Sequence, residues 1–123
     1  MKYVDPYGLV EYLGLEGIVL HLEKLSRAQG DDFWQAPWTG PERAMIQRLQ
    51  QGRDTPWDLG FYHHEKAEAD MCLPYIASPS DVYLRKQSEA HRRVEDNQRN
   101  TQWDRYHPDV VRRFSDQFPP APK

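Results

Sequence analysis

Residues 55–72 read TPWDLGFYHHEKAEADMC, and this run sets the fold class. Thr55 is a capping residue, Pro56 sits in the first helical turn, and Asp58 brings negative charge to the positive end of the helix dipole. Together they predict a helix from Pro56 to Cys72, ended by Pro74. Gly60 weakens it early, by about 1 kcal/mol relative to alanine. Towards the N-terminus, Leu15, Ile18, Val19, Leu22 and Leu25 recur at helical spacing, which predicts an amphipathic helix ending near Gln29–Gly30. Pro41 opens a further helix from Glu42 to Gln51, which would bury Ala44, Met45, Ile46 and Leu49 before Gly52 stops it. Towards the C-terminus, a turn over 77–81 leads into a helix from Asp81 to Asn97. Residues 97–105 lack a period and read as a loop. His107-Pro108-Asp109 then starts a last helix through Asp116, with Val110, Val111 and Phe114 on its apolar side. The expectation is a mainly α, small single-domain fold, with room for a minor β-hairpin only in the loops.

The aromatic loop DDFWQAPWTG, residues 31–40, is expected to lay Phe33, Trp34 and Trp38 over the core. His21 falls beside the first apolar stripe and reads as a structural or surface histidine. Lys66 and Asp70 form an i,i+4 surface pair. The tail PPAPK should be extended.

A chain of 123 residues is one domain. Mean hydropathy is −0.92, yet four Trp, seven Tyr and four Phe provide the apolar bulk that a disordered chain lacks. No apolar run approaches the ~18 residues of a membrane-spanning helix. The single Cys72 excludes an internal disulfide and a cysteine-rich zinc site, and in its apolar run it reads as a buried residue. The net charge of −3 argues against wholesale nucleic-acid binding. Charge is uneven, however: Arg85, Lys86, Arg92, Arg93, Arg99 and Arg105 outnumber Glu89, Glu95, Asp96 and Asp104 within one stretch.

Three polar patches carry the residue types of a catalytic site. In the first, His64 and Glu68 are four apart and share a helix face, with Glu65 one position round. The second is Glu89-Ala90-His91 on the next helix. The third is Tyr106-His107-Pro108-Asp109 at a helix start. Histidine carries protons near neutral pH, so His64, oriented by Glu68, with His91 or His107 as the second carrier, could cleave a phosphodiester. Arg92, Arg93 or Arg99 would hold the phosphate. The same His64, Glu68, His91 and His107 are legitimate ligands for a divalent metal, with Glu65 as base on a bound water. The metallopeptidase motif His-Glu-x-x-His is broken here by Glu68. A third chemistry, attack on NAD by glycohydrolysis or ADP-ribosyl transfer, would need an acid beside a nicotinamide-ribose pocket, and a helix-rich layout suits it poorly.

Residues 3–9, YVDPYGL, resemble the YVDPxGL signature that closes the core of Rhs (YD-repeat) proteins just before their variable tips. Asp5, Pro6, Gly8 and Leu9 match it position by position. The pieces FYHHEKAEA (61–69), Ala90-His91 and YHPDVV (106–111) are similar to a pattern of toxin tips in Rhs and filamentous-haemagglutinin-type proteins, over about residues 57–115. His63 and the long basic stretch between His91 and Tyr106 depart from it. The resemblance implies that residues 1–13 are the end of the core signature and a connector, and that 14–123 are the toxin domain. It further implies export by the parent Rhs protein, action in the cytoplasm of a competitor cell, and a cognate immunity protein. Nuclease activity, on RNA ahead of DNA, is the leading expectation.

Overall fold

The computed structural model describes residues 12–99 and 101–119, Tyr12 and Leu13 by their backbone alone. Six α-helices follow in order: α1 Tyr12–Ala28, α2 Gly40–Gln50, α3 Pro56–Cys72, α4 Ser80–Gln98, α5 Gln102–Arg105 and α6 Pro108–Arg113. Single 3-10 turns cover Pro37–Thr39, Leu73–Tyr75 and Ser115–Gln117. The fold is mainly α, and among the described residues there is no strand. No described helix is long and apolar enough to cross a membrane. The YVDPYGL signature and the last four residues of the tail lie outside the described residues, while Tyr12 and Leu13 of the expected connector belong to α1.

The central element is α3, which packs against α1, α2, α4 and α5. Its start follows from capping chemistry. The Thr55 hydroxyl accepts from the Asp58 N–H, the Asp58 carboxylate accepts from the Thr55 N–H, and Pro56 supplies a preset φ. Asp58 is fully buried and also takes a two-pronged ion pair from Arg48 of α2, with Nε 2.7 Å and Nη2 2.9 Å from its oxygens. One side chain thus starts α3 and pins α2 to it. Burial favours the neutral acid, but the Arg48 and Thr55 hydrogen bonds outweigh it and hold Asp58 below the usual carboxylate range.

The main core gathers Leu15, Ile18 and Leu22 of α1, Met45, Ile46 and Leu49 of α2, Phe61 and Tyr62 of α3, and Phe33. A second cluster joins Cys72, Tyr83 and Ala90 under α1 and α4. Burial pushes the Cys72 thiol up to about 11, so it packs as an apolar side chain, as expected. Gly30 and Gly52, at φ +86° and +79°, follow α1 and α2 at positions that a side chain would strain.

Several expectations are corrected. Most of the described residues in 97–105 are helical rather than loop: α4 runs through Gln98, Arg99 ends it in the left-handed region at φ 52°, and α5 spans Gln102–Arg105. A Thr101–Asp104 capping box nucleates α5 despite its length of 4 residues. Gly60 is more than a weak point in α3, because a Cβ there would lie 2.5 Å from the Asp104 carbonyl oxygen. The glycine lets α5 seat against α3. Phe33 covers the core, but Trp34 and Trp38 remain 45% and 42% exposed, their indole N–H groups tied to Glu23 and Asp31 at the surface. The last helix stops at Arg113, and a separate 3-10 turn spans Ser115–Gln117.

Candidate active site

Helical spacing stacks His64 and Glu68 on one face of α3, and α4 lies across that face with His91. The three side chains meet at a single atom, Glu68 Oε2. His64 donates to it from Nε2, and His91 Nδ1 lies 2.7 Å from it. The two ring nitrogens stand 3.3 Å apart. The other Glu68 oxygen accepts from Gln87 Nε2 at 2.8 Å. His91 Nε2 faces Glu95 Oε1 at 3.0 Å, and Glu95 in turn accepts from Arg105 at 3.1 Å. A chain of partners therefore runs from His64 through Glu68, His91 and Glu95 to Arg105.

Burial grades along this chain. His64 and Glu68 are each 1% exposed, whereas the His91 side chain is 41% exposed and meets solvent. Burial alone would raise Glu68, but the hydrogen bonds from His64 and His91 dominate and hold it at about 2. The hydrogen bond to Glu68 raises His91 in return, against its partial burial. Both ring nitrogens of His91 thus face carboxylates, Nδ1 towards Glu68 and Nε2 towards Glu95. His64 Nδ1 is buried without a hydrogen-bond partner among the described residues.

Beside this triad lies a cavity of about 190 Å³, whose lining includes His64, Glu65, Glu68, His91, Gln87, Arg105, Glu42 and Tyr106. Burial, reinforced by Glu68 and Glu42, pushes Glu65 well above the usual carboxylate range. Burial also raises Glu42, whose Oε1 accepts from the Tyr106 hydroxyl at 3.1 Å. Neighbouring carboxyl groups in one cavity are therefore driven in opposite directions: Glu68 downwards by its histidines, and Glu65 upwards by its dry surroundings. A split of this kind separates an acid from a base within one site.

Of the residues singled out from sequence, His64, Glu65, Glu68 and His91 come together here. His107 does not line the cavity. Its Nδ1 accepts from the Asp109 N–H at 3.0 Å, capping α6, and its ring stands edge-on against Trp57. Its neighbour Tyr106 is the residue of that patch that reaches the cavity. Arg92, Arg93 and Arg99 are exposed and none lines the cavity, Arg99 being the α4 cap. The arginine at the site is Arg105, buried at the end of α5. Glu42 and Gln87 were also missed. The signal for both is a polar residue at a core-facing position, Glu42 with Met45, Ile46 and Leu49 on α2, and Gln87 with Tyr83, Ala90 and Val94 on α4.

No family model, curated protein or solved structure matches the chain.

Proposed function

We propose that this chain is the toxin tip of an Rhs-type effector and that it hydrolyses nucleic acid, RNA ahead of DNA, in the cytoplasm of a competitor cell. The observation that carries the hydrolytic reading is the meeting of His64, Glu68 and His91 on one carboxylate oxygen at the edge of a cavity. A buried carboxylate with two histidine partners has little purpose in a core, where an apolar residue would cost less. A half-exposed His91, raised by its hydrogen bond to Glu68, is suited to exchange a proton with a leaving oxygen. Buried His64 lines the cavity, and a water entering there is what it would activate. Arg105 and, on the solvent side of α4, Arg92 are the cations closest in sequence or contact to this machinery for a phosphate to use.

The delivery context rests on the YVDPYGL signature and the His-Glu-x-x-Glu, Ala-His and Tyr-His-Pro pieces, and the immunity protein follows from the same resemblance. The cavity volume of about 190 Å³ is below the roughly 300–1,000 Å³ of pockets that enclose small-molecule ligands. That favours a polymer presenting one reacting group at the mouth over enclosed NAD.

The test is total RNA from bacteria expressing the chain, beside RNA from bacteria expressing His91→Ala or Glu68→Gln. Discrete fragments with the parent chain alone are expected. Growth arrest with intact RNA and DNA would overturn the nuclease reading and direct attention to NAD levels.

A further inference from the structure

We propose that His64 Nε2, Glu68 and His91 Nδ1 bind one divalent transition cation of the zinc class, with the open coordination position facing the cavity. The inference rests on the geometry of the triad and stands independently of the nuclease reading. His64, Glu68 and His91 each offer a ligand atom, and these atoms lie within 4.8 Å of one another. The 3.3 Å between the two ring nitrogens is close to the ligand-to-ligand separation in a tetrahedral site with bonds of about 2.0–2.1 Å, while both nitrogens lie nearer than that to Glu68 Oε2, so an entering ion would push the carboxylate outwards. Two imidazoles and one carboxylate are a donor set that suits zinc and its neighbours and discriminates against magnesium and calcium, which take oxygen ligands. The supporting elements are rigid: His64 and Glu68 are one turn apart on α3, and α4 supplies the third ligand across a packed interface.

The outer partners favour the same assignment. With Nδ1 on a metal, His91 keeps its other N–H for Glu95 at 3.0 Å, and Arg105 fixes Glu95 at 3.1 Å. A ligating carboxylate is usually hydrogen-bonded in turn, and Gln87 does this for Glu68 at 2.8 Å. A hydrogen-bonded triad alone requires neither arrangement. It also sets two N–H groups side by side against one oxygen, a crowding that a single cation replaces with two lone pairs. His64 is the ligand without an outer partner, since its Nδ1 meets none among the described residues. His21 adds a second sign of a ligand at this place. It is 2% exposed, its Nε2 has no hydrogen-bond partner among the described residues, and it offers an atom within 4.8 Å of those of Glu65 and Glu68.

The experiment titrates the untagged, chelator-treated full chain with Zn²⁺ by calorimetry and with Co²⁺ by visible absorption. One ion per chain, with the intense visible bands of low-coordinate cobalt, is expected. His91→Ala and Glu68→Gln should each abolish binding, and His63→Ala, which alters an exposed histidine beside the site, should not change it. Glu95→Gln leaves all three ligands and the buried packing in place and should weaken binding roughly 10–100-fold. It therefore reads the site even where a ligand variant fails to fold. Absence of saturable binding by the parent chain, or equal binding by a folded His91→Ala, would overturn the proposal. Zn²⁺ binding with intact RNA would retain the site and overturn the nuclease reading. RNA cleavage in excess chelator by a chain that binds no ion would do the reverse.

Discussion

Alanine at Gly60 and at Gly17 should move stability in opposite directions. Both glycines lie inside long helices, where alanine is intrinsically better by about 1 kcal/mol. A Cβ at Gly17 meets nothing within 4 Å, so Gly17→Ala on α1 should keep most of that gain. At Gly60 the Cβ would stand 2.5 Å from the Asp104 carbonyl oxygen, 3.5 Å from its carbon and 3.8 Å from the Arg105 Cα. Ordinary contact requires α5 to retreat by nearly an ångström, and its partner atoms are backbone, which cannot swing aside as a side-chain tip would. Overpacking of this kind costs about 1–3 kcal/mol, which exceeds the helix gain in most of that range. The net expectation is a loss of about 1 kcal/mol for Gly60→Ala, against a gain of about 0.5–1 kcal/mol for Gly17→Ala. Urea unfolding followed by circular dichroism measures both. Because Arg105 directly follows Asp104 and holds Glu95, Gly60→Ala should also impair the site in a chain that remains folded. A Gly60→Ala chain as stable as Gly17→Ala would refute the close seating of α5 on α3.

Asp58→Asn removes the charge that Arg48 and the α3 cap share, and should cost about 2 kcal/mol at pH 7. Because the folded Asp58 titrates below its unfolded value, its contribution is fully present above about pH 4 and is lost as pH falls through the folded value. The acid limb of the stability–pH curve should therefore flatten in Asp58→Asn, and a limb identical to the parent's would exclude Asp58 as its source. His107→Ala should lower stability by about 1 kcal/mol through the lost α6 cap and leave the proposed RNA cleavage intact; loss of that cleavage in a folded His107→Ala would restore His107 to the site. Cys72, buried and raised to about 11, should react with a thiol reagent at pH 8 only on unfolding, so rapid labelling of the native chain would contradict its packing.

The parts of the fold that were legible are those written in local chemistry. The bounds of α3 follow from Thr55, Pro56 and Asp58 at one end and Pro74 at the other, and α2 follows from Pro41 and Gly52. Helix α5 escaped because four residues are too few to display a period, although Thr101 and Asp104 stand at the spacing of a capping box. Trp34 and Trp38 misled for a different reason. Their apolar bulk suggests burial, but each indole N–H found an acid at the surface, and no sequence pattern distinguishes an aromatic residue that caps a core from one that lies on its rim. His107 carried a true signal of the wrong kind: a histidine before proline at a helix start is a cap, and its side chain is spent on its own helix.

The site itself was half legible, and the other half obeys a rule that periodicity alone contains. On α1, His21 shares the core-facing stripe of Ile18 and Leu22. On α2, Glu42 stands with Met45, Ile46 and Leu49. On α3, Glu65 stands with Phe61, Tyr62 and Ala69, and on α4, Gln87 stands with Tyr83, Ala90 and Val94. Each of these four helices thus carries at least one polar side chain at a position its own spacing assigns to the core. One such residue could be a tolerated defect, since a buried polar group costs a few kcal/mol only when unpaired. Four of them on four helices converge on one place, where they face one another or a shared guest. Glu42, Glu65 and Gln87 line the same cavity, and His21 approaches Glu65 and Glu68 from α1. Stability would favour apolar residues at all four positions. Their presence there, around a carboxylate held ionised by two histidines, is what the proposed hydrolytic chemistry would require: a charge in a dry place.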